Sequence, residues 1–368
     1  MRVALVNLTS GGLSGGSRKY LLELVPLLRA HRAVRDLHVF LPPSVRETVA
    51  GAESWPSGDG FRGFRSLRDR IGALAPDVVF IPTARWIDCG AVPAVVMVRN
   101  MEPIVVPLQG NPPAEAMKNL ARAFEAKRAC RRSQRVIAVS GYVRDVLRDR
   151  WHIDEGKIGI VYHGVDPACG SGRRPASLAR VDDRPFVFTA GSIRPARGLE
   201  DLVSALSHAK RTGGFMPTVV IAGEVSPGGA GYRRRMERSA VAAGVDDRIV
   251  WAGALDRQEM AWCFSQCLAF VMTSRVEACP NVVLEAMSYR CACVSVDLPP
   301  MPEFFGTAAL YYPAGNGAAL AGQLTATQAA NGSDAARLRQ DAERRASQFA
   351  WTTTAERTVA ELEKVLGR

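Results

Sequence analysis

Short β-rich apolar runs alternate with longer helical patterns from one end of this chain to the other. In the first half, residues 3–7, 37–41, 78–81, 95–98 and 136–139 read as strands. Helical spacing fills 17–30, 67–74, 114–131 and 142–150 between them. The second half repeats the scheme, with strands at 186–190, 219–222, 249–251, 268–272 and 292–296 and helices at 199–210, 232–243, 256–264 and 281–287. Strands that alternate with helices build βαβ units and a parallel sheet. The predicted class is therefore α/β, with two doubly wound halves and a ligand cleft between them at the carboxyl ends of the strands. Residues 163–177, dense in Gly, Pro and Ser, are the natural linker. The spacing then points to a loose polar stretch at 325–332, a charged helix near 334–348 and a last helix over about 354–366.

At 368 residues the chain is long enough for two domains. No apolar run approaches the roughly 18 residues that cross a membrane as a helix, and the N-terminus reads as a first strand rather than a signal peptide. None of the eight cysteines falls in CxxC spacing, so buried reduced thiols are expected. Cys263 and Cys267 share a predicted helix face, and Cys291 and Cys293 a strand face. The net charge of +11 is uneven: residues 1–180 carry 27 Lys and Arg against 16 Asp and Glu, and the remainder carries 20 against 20. The densest basic stretch is 118–150. Such a face suits an anionic membrane surface or a phosphorylated acceptor, or is an ordinary solvated surface. Without aromatic stacking residues beside it, nucleic acid is disfavoured.

The segment from Glu277 to Glu285, Glu-Ala-Cys-Pro-Asn-Val-Val-Leu-Glu, carries the most chemistry. The run 268–272 before it reads as a buried strand. Pro280 suits a helix opening, and Val282, Val283, Ala286 and Met287 supply an apolar helix face. A strand thus leads through a loop bearing Glu277 into a helix bearing Glu285. The free N–H groups of such a helix attract phosphate, and the two carboxylates can grip hydroxyls on either side. A molecule with hydroxyls flanking a phosphate is a nucleotide sugar.

Four other turns fit that ligand. Asn7 to Ser17 holds Gly11, Gly12, Gly15 and Gly16 before a helix, a loop able to approach a diphosphate, though it matches neither a P-loop nor G-x-G-x-x-G. Arg194 and Arg197 bracket a tight turn after the first strand of the second half. Their guanidinium forks can hold diphosphate oxygens as charge develops there. Gly223 and the Gly253–Leu255 segment end two further strands, where a base can pack on backbone.

The ordered set Gly-Ser-Ile-Arg-Pro-Ala-Arg-Gly (191–198), Val-Ile-Ala-Gly-Glu (220–224) and Glu277-x7-Glu285-Ala-Met resembles the retaining family 4 glycosyltransferases of the GT-B fold. The runs from Val136 to Arg144 and from Lys157 to Asp166 are similar to the family's crossing between domains. The resemblance implies an acceptor-side Rossmann-like domain at 1–168, a linker at 169–184, a donor-binding Rossmann-like domain at 185–345, and a helix at 346–368 crossing back to the first. It implies that Glu285 binds the donor ribose, that Glu277 contacts the transferred sugar, and that Ala278, Cys279, Pro280, Asn281, Val282 and Val283 line sugar and phosphate. Gly223 and Leu255 would face the base, and Gly15 and Gly16 the phosphates. Arg197 stands for the family's Lys. The usual Arg falls on Ser192, so Arg194 is the expected substitute.

The acceptor-side His of many members is also missing, and Asn100 takes its place, with Glu102 the less favoured base. An amide cannot act as a base at neutral pH, which fits a retaining mechanism in which the leaving phosphate takes the acceptor's proton. His163 is expected to bond backbone in the linker. The resemblance implies no cofactor and no metal beyond the donor itself, a glycan, lipid-linked or small-molecule acceptor, and a cytoplasmic enzyme, peripheral at the inner membrane face if the basic face binds lipid. Two other readings remain open from sequence. One is a GT-B protein that binds a nucleotide sugar without turnover. The other is a glycoside hydrolase using Glu277 and Glu285 as its carboxylate pair.

Overall fold

The computed structural model describes residues 1–8, 15–42, 46–47, 49–54, 61–106, 108, 110–179, 185–226, 228–329 and 333–367. They form two compact units. The first comprises Met1–Ile104, Lys118–Gly164 and Phe349–Arg368, and the second Val105–Met117 and Val165–Gln348. Cys169 and the residues up to 179 thus belong with the second unit.

The first half of the chain runs β1 (Arg2–Val6), α1 (Gly15–Ala30), β2 (Asp36–Leu41), β3 (Glu53–Ser54), α2 (Phe61–Leu74), β4 (Val78–Ile81), β5 (Ala94–Val98), α3 (Glu102–Val105), α4 (Pro113–Arg132), β6 (Arg135–Ala138), α5 (Gly141–Trp151) and β7 (Ile158–Ile160). Its seven strands are parallel, in the order β3-β2-β1-β4-β5-β6-β7. β1, β4 and β5 are apolar on both faces and buried at nearly every position. Parallel strands covered by helices on two sides need this continuous apolarity rather than alternation.

The second half runs β8 (Phe186–Ala190), α6 (Glu200–Thr212), β9 (Thr218–Ala222), α7 (Ala230–Ala243), β10 (Ile249–Gly253), α8 (Arg257–Gln266), β11 (Ala269–Met272), α9 (Asn281–Ser288), β12 (Cys293–Val296), α10 (Met301–Phe305), β13 (Ala309–Tyr312), α11 (Gly317–Ala329), α12 (Ser333–Ala346) and α13 (Trp351–Lys364). Its six parallel strands are ordered β10-β9-β8-β11-β12-β13. Strand order reverses between β1 and β4 in one sheet and between β8 and β11 in the other. In such sheets the crevice for ligand opens at that reversal, outside the carboxyl ends of the two strands.

Where composition points to a loose polar stretch at 325–332, the chain is helical as far as Ala329; 330–332 lie outside the described residues. The polar side chains are satisfied locally: Thr325 donates to the Ala321 carbonyl at 3.0 Å and Thr327 to that of Leu324 at 2.7 Å. Leu320 and Leu324 turn inward, and α11 packs on α6 so closely that a Cβ on Gly317 would strike Ser204. Cys291 precedes β12 rather than sharing its face with Cys293, and its sulfur lies 3.9 Å from that of Cys267. Seven cysteines are buried as free thiols, Cys169 alone being exposed. Burial pushes the Cys263 thiol up to about 12, so it stays protonated.

His163 does not turn out into a linker. It is 4% exposed and forms a triangle of rings with Tyr20 (centroids 4.9 Å apart) and Trp351 (6.2 Å, stacked), which also meet each other at 6.0 Å. Thr354 donates to the Tyr162 carbonyl at 2.9 Å, and Glu361 pairs with both Arg135 and Lys364. Gly159 and Gly164 leave the room for α13: a Cβ on either would collide with Glu361 or Trp351. Because Trp351 anchors this helix in an aromatic cluster, Trp351→Ala should cost about 3–5 kcal/mol by chemical denaturation. A loss below about 1 kcal/mol would show that the cluster does not hold the helix.

Candidate functional site

The two loops at the reversal of the second sheet carry Arg194, Arg197 and the residues from Glu277 to Pro280. β8 ends in Gly191, whose φ of +136° only glycine adopts without strain. Gly223, after β9, has a φ of +135°, and a Cβ there would fall on the Gly191 carbonyl. The two turns continue the ladder beyond the strands: Gly191 donates to the Ala222 carbonyl at 2.9 Å and Ile193 to that of Glu224 at 2.8 Å. A Cβ on Gly191 would also strike the Arg197 guanidinium, so this glycine makes the floor on which the arginine lies. Gly191 has a structural role that motif spacing alone does not assign, although its position directly after a buried strand is the available signal.

Arg194 precedes, and Arg197 ends, a short 3₁₀ turn, Pro195–Arg197, that leads into α6. Arg194 is half-buried and Ser192 exposed. The Arg197 side chain is only 11% exposed. Its Nη1 donates to Oε1 of Glu277 at 3.1 Å and to Oγ of Ser274 at 2.9 Å. Thr273 Oγ1 donates to the Arg197 carbonyl at 2.6 Å. The structure therefore joins Arg197 and Glu277, eighty residues apart in sequence, into one charge-assisted contact.

The loop from Thr273 to Pro280 is buried except at Arg275 and Glu277, which are half-buried. Pro280 occupies the N-cap position of α9, one place before the expected first helical residue, and gives no side-chain cap. A helix start without a side-chain cap leaves its opening N–H groups to a ligand or water. Val283, Leu284, Ala286 and Met287 bury one face, while Asn281, Val282 and Glu285 form the half-exposed one. Ala278 and Cys279 are buried at 4% and 8% exposure, so they can offer a ligand little beyond backbone. Leu255 follows β10 and is half-buried. Gly223 and Leu255 lie beyond the carboxyl ends of β9 and β10, the same edge that carries Arg197 and Glu277.

In the first unit, Asn100 follows β5 and is exposed; its Oδ1 accepts from the Glu102 N–H at 3.2 Å, closing the turn into α3. Glu102 is buried at 7% exposure. Gly15 and Gly16 are the exposed first residues of α1; Gly11 and Gly12 lie outside the described residues. Among the described residues no group of three His, Cys, Asp or Glu is arranged to hold a metal ion.

Two residues that sequence reasoning passes over fasten the site. Arg275 donates from both terminal nitrogens to Asp201, at 2.6 and 2.7 Å, and Asp201 is 2% exposed. Tyr312 donates to the same carboxylate at 3.0 Å and the Gly315 N–H at 3.3 Å. Burial, then the neighbouring carboxylate, pushes the Tyr312 phenol up, so it remains a donor. The Arg275 N–H also donates to the Ala196 carbonyl at 2.8 Å. The loop of Glu277 is thereby pinned to the start of α6 and the turn of Arg197. The visible signal is a lone arginine in an otherwise apolar loop and an aspartate in the first turn of a helix.

Removing either partner leaves a buried charge unmatched, which costs about 3 kcal/mol. Asp201→Ala and Arg275→Ala should each lose that much stability, and the double variant far less than twice it. Strictly additive losses in a double-mutant cycle would mean that the two do not act as a pair.

Two family models match the chain. "Glycosyl transferases group 1" spans residues 173–348 and "Glycosyltransferase Family 4" residues 14–168. No curated protein gives a significant match. Among solved structures, Anabaena HepE in complex with UDP-glucose is 16% identical, with 98% of this chain and 99% of that chain covered at a TM-score of 0.76. The sucrose-phosphate synthase of Thermosynechococcus elongatus is 17% identical, covered 100% and 99%, at 0.73. WaaG, a glycosyltransferase involved in lipopolysaccharide biosynthesis, is 13% identical, covered 98% and 99%, at 0.68. At such identities the likeness is one of fold. With one family model on each half and a doubly wound parallel sheet in each, the chain belongs to the family 4-like glycosyltransferases of the GT-B fold.

Proposed function

We propose that the chain moves a hexose from a nucleoside diphosphate sugar to an acceptor hydroxyl, with retention at the anomeric carbon. The observation that carries this is the Arg197–Glu277 contact at the carboxyl end of β8 and β11, beside the opening of α9. A diphosphate placed there meets the α9 N–H groups, and Arg197 and Arg194 offset the charge that grows as the sugar–oxygen bond breaks. Glu277 accepts hydrogen bonds from the sugar hydroxyls, and Glu285 on the half-exposed face of α9 accepts those of the ribose. The acceptor oxygen bonds to the anomeric carbon on the face the diphosphate leaves, and its proton passes to the departing phosphate oxygen. No side-chain base is then required, and the Asn100 carboxamide serves as a hydrogen-bonding group.

The likeness to the UDP-glucose complex of HepE supports a UDP-hexose as donor. The basic first half and the likeness to WaaG support a saccharide on an anionic lipid carrier as acceptor. The same basic first half supports a peripheral protein at the inner membrane face; no helix among the described residues is long and apolar enough to cross a membrane.

A thermal-shift screen against UDP-, GDP-, dTDP- and ADP-sugars tests the donor. One sugar nucleotide at about 100 times its dissociation constant should add about 2.7 kcal/mol, and raise the midpoint by several degrees. Glu285→Ala should lose that shift; an equal shift in the variant would remove the ribose role. With the identified donor, Arg197→Ala should lower kcat about 100- to 1000-fold. An inverted anomer in the product, read by proton NMR coupling, would overturn retention, and binding without any transfer would leave a sensor.

A further inference from the structure

Helix α4 turns an apolar stripe outward. Ala116, Asn119, Ala126, Ala129 and Cys130 are its buried face. On the opposite face Leu120 and Phe124 are 43% and 72% exposed, and Met117, one turn earlier on the same helix, 66%. At about 100° per residue these three fall within an arc of about 60°. Seven large apolar side chains are exposed among the described residues, and three of them share this one arc, so the stripe is not the scatter that any surface shows.

Cations continue the same meridian. Lys127, Arg128, Arg131 and Arg132 follow on the next turns, and the three arginines are exposed. None of these four side chains enters a salt bridge among the described residues. Elsewhere in the basic stretch Arg135 pairs with Glu361, Arg144 with Asp145, and Arg148 with Asp145, Asp149 and Glu155, while Arg150 is exposed and enters no salt bridge among the described residues. The one acid toward the rim of this face, Glu125, lies 3.7 Å from Arg85. Four of the cations that composition places in 118–150 thus lie beside the apolar stripe.

We propose that the outward face of α4 docks on an anionic phospholipid bilayer. Leu120 and Phe124 enter the boundary between headgroups and acyl chains, and Lys127, Arg128, Arg131 and Arg132 lie against lipid phosphates. Arginine suits this because its apolar stem stays in the boundary while the guanidinium reaches outward. A second copy of the chain is a poorer occupant. The stripe offers a few hundred Å² of apolar surface, well below the roughly 800 Å² per partner of a stable interface, and two copies would bring like charges together. The proposal rests on the peripheral placement proposed above, to which it adds the face that binds, and it is independent of the donor assignment.

The test uses the full chain and co-sedimentation with vesicles of phosphatidylcholine alone or of phosphatidylcholine with phosphatidylglycerol. The expected result is binding to the anionic vesicles at low salt, release at high salt, and little binding to the neutral ones. Phe124→Gln, an exposed change that leaves the core intact, should weaken partitioning about tenfold. Arg128→Gln with Arg131→Gln should remove the preference for anionic lipid. Unfolding midpoints and donor thermal shifts should match the parent chain in both variants. Equal binding to both vesicles, no binding to either, or an unchanged Phe124→Gln partition would overturn the proposal. So would a concentration-dependent dimer in sedimentation velocity that Phe124→Gln dissolves, since the face would then meet its own copy.

Discussion

A buried ion pair, Asp201 with Arg275, ties together the two loops on which the site depends. Those loops leave β8 and β11, neighbours in space but separated in sequence by two strands and three helices. The parallel sheet brings their starts side by side; it does not dictate how far each loop strays beyond the strand ends. The bidentate pair does, with the Thr273 bond to the Arg197 carbonyl and the Arg275 N–H bond to that of Ala196 as its companions. A charge as buried as Asp201 is tolerable only when its oxygens are matched, and Arg275, Tyr312 and Gly315 match them. The geometry is therefore rigid at the point where Arg197 meets Glu277.

Packing density and charge work together here. Gly191 and Gly223 let two turns approach until backbone lies on backbone, and Arg197 lies across that floor. The guanidinium meets Glu277 on the loop that leads into α9. Neutrality is kept without ligand, because Glu277 balances Arg197 and Asp201 balances Arg275. The diphosphate of the proposed reaction adds negative charge beside the buried Arg197, and a donor held in place beforehand stabilises a leaving group without reorganising at the moment of reaction.

Much of the fold is legible in the residues. The buried runs of β1, β4, β5, β8 and β11 are apolar without alternation, which by itself requires cover on both faces. Short or disguised elements are harder. β3 has two residues and β7 three, too few to show a period. α11 hides behind threonines whose hydroxyls bond to their own helix. His163 sits in a Gly- and Pro-rich segment that reads as a linker, yet its ring packs in a cluster with Tyr20 and Trp351 from distant parts of the chain. The glutamates and arginines of the site are visible as motifs; Asp201 and Arg275 are not, because each looks ordinary until the other is beside it.

Composition and spacing alone determine that this chain makes two parallel, helix-covered sheets, that Glu277 and Glu285 flank a helix start, and that its positive charge lies in the first half. These follow from local periodicity and turn chemistry, which act over a few residues. Tertiary structure decides which charges meet. It places Arg197 on Glu277 and Arg275 on Asp201, pairs Arg144 and Arg148 of α5 with nearby acids, and leaves Arg128, Arg131 and Arg132 of α4 beside an outward apolar stripe. Such contacts depend on distances across the fold, and an ion pair or an exposed patch exists only once separate elements have packed.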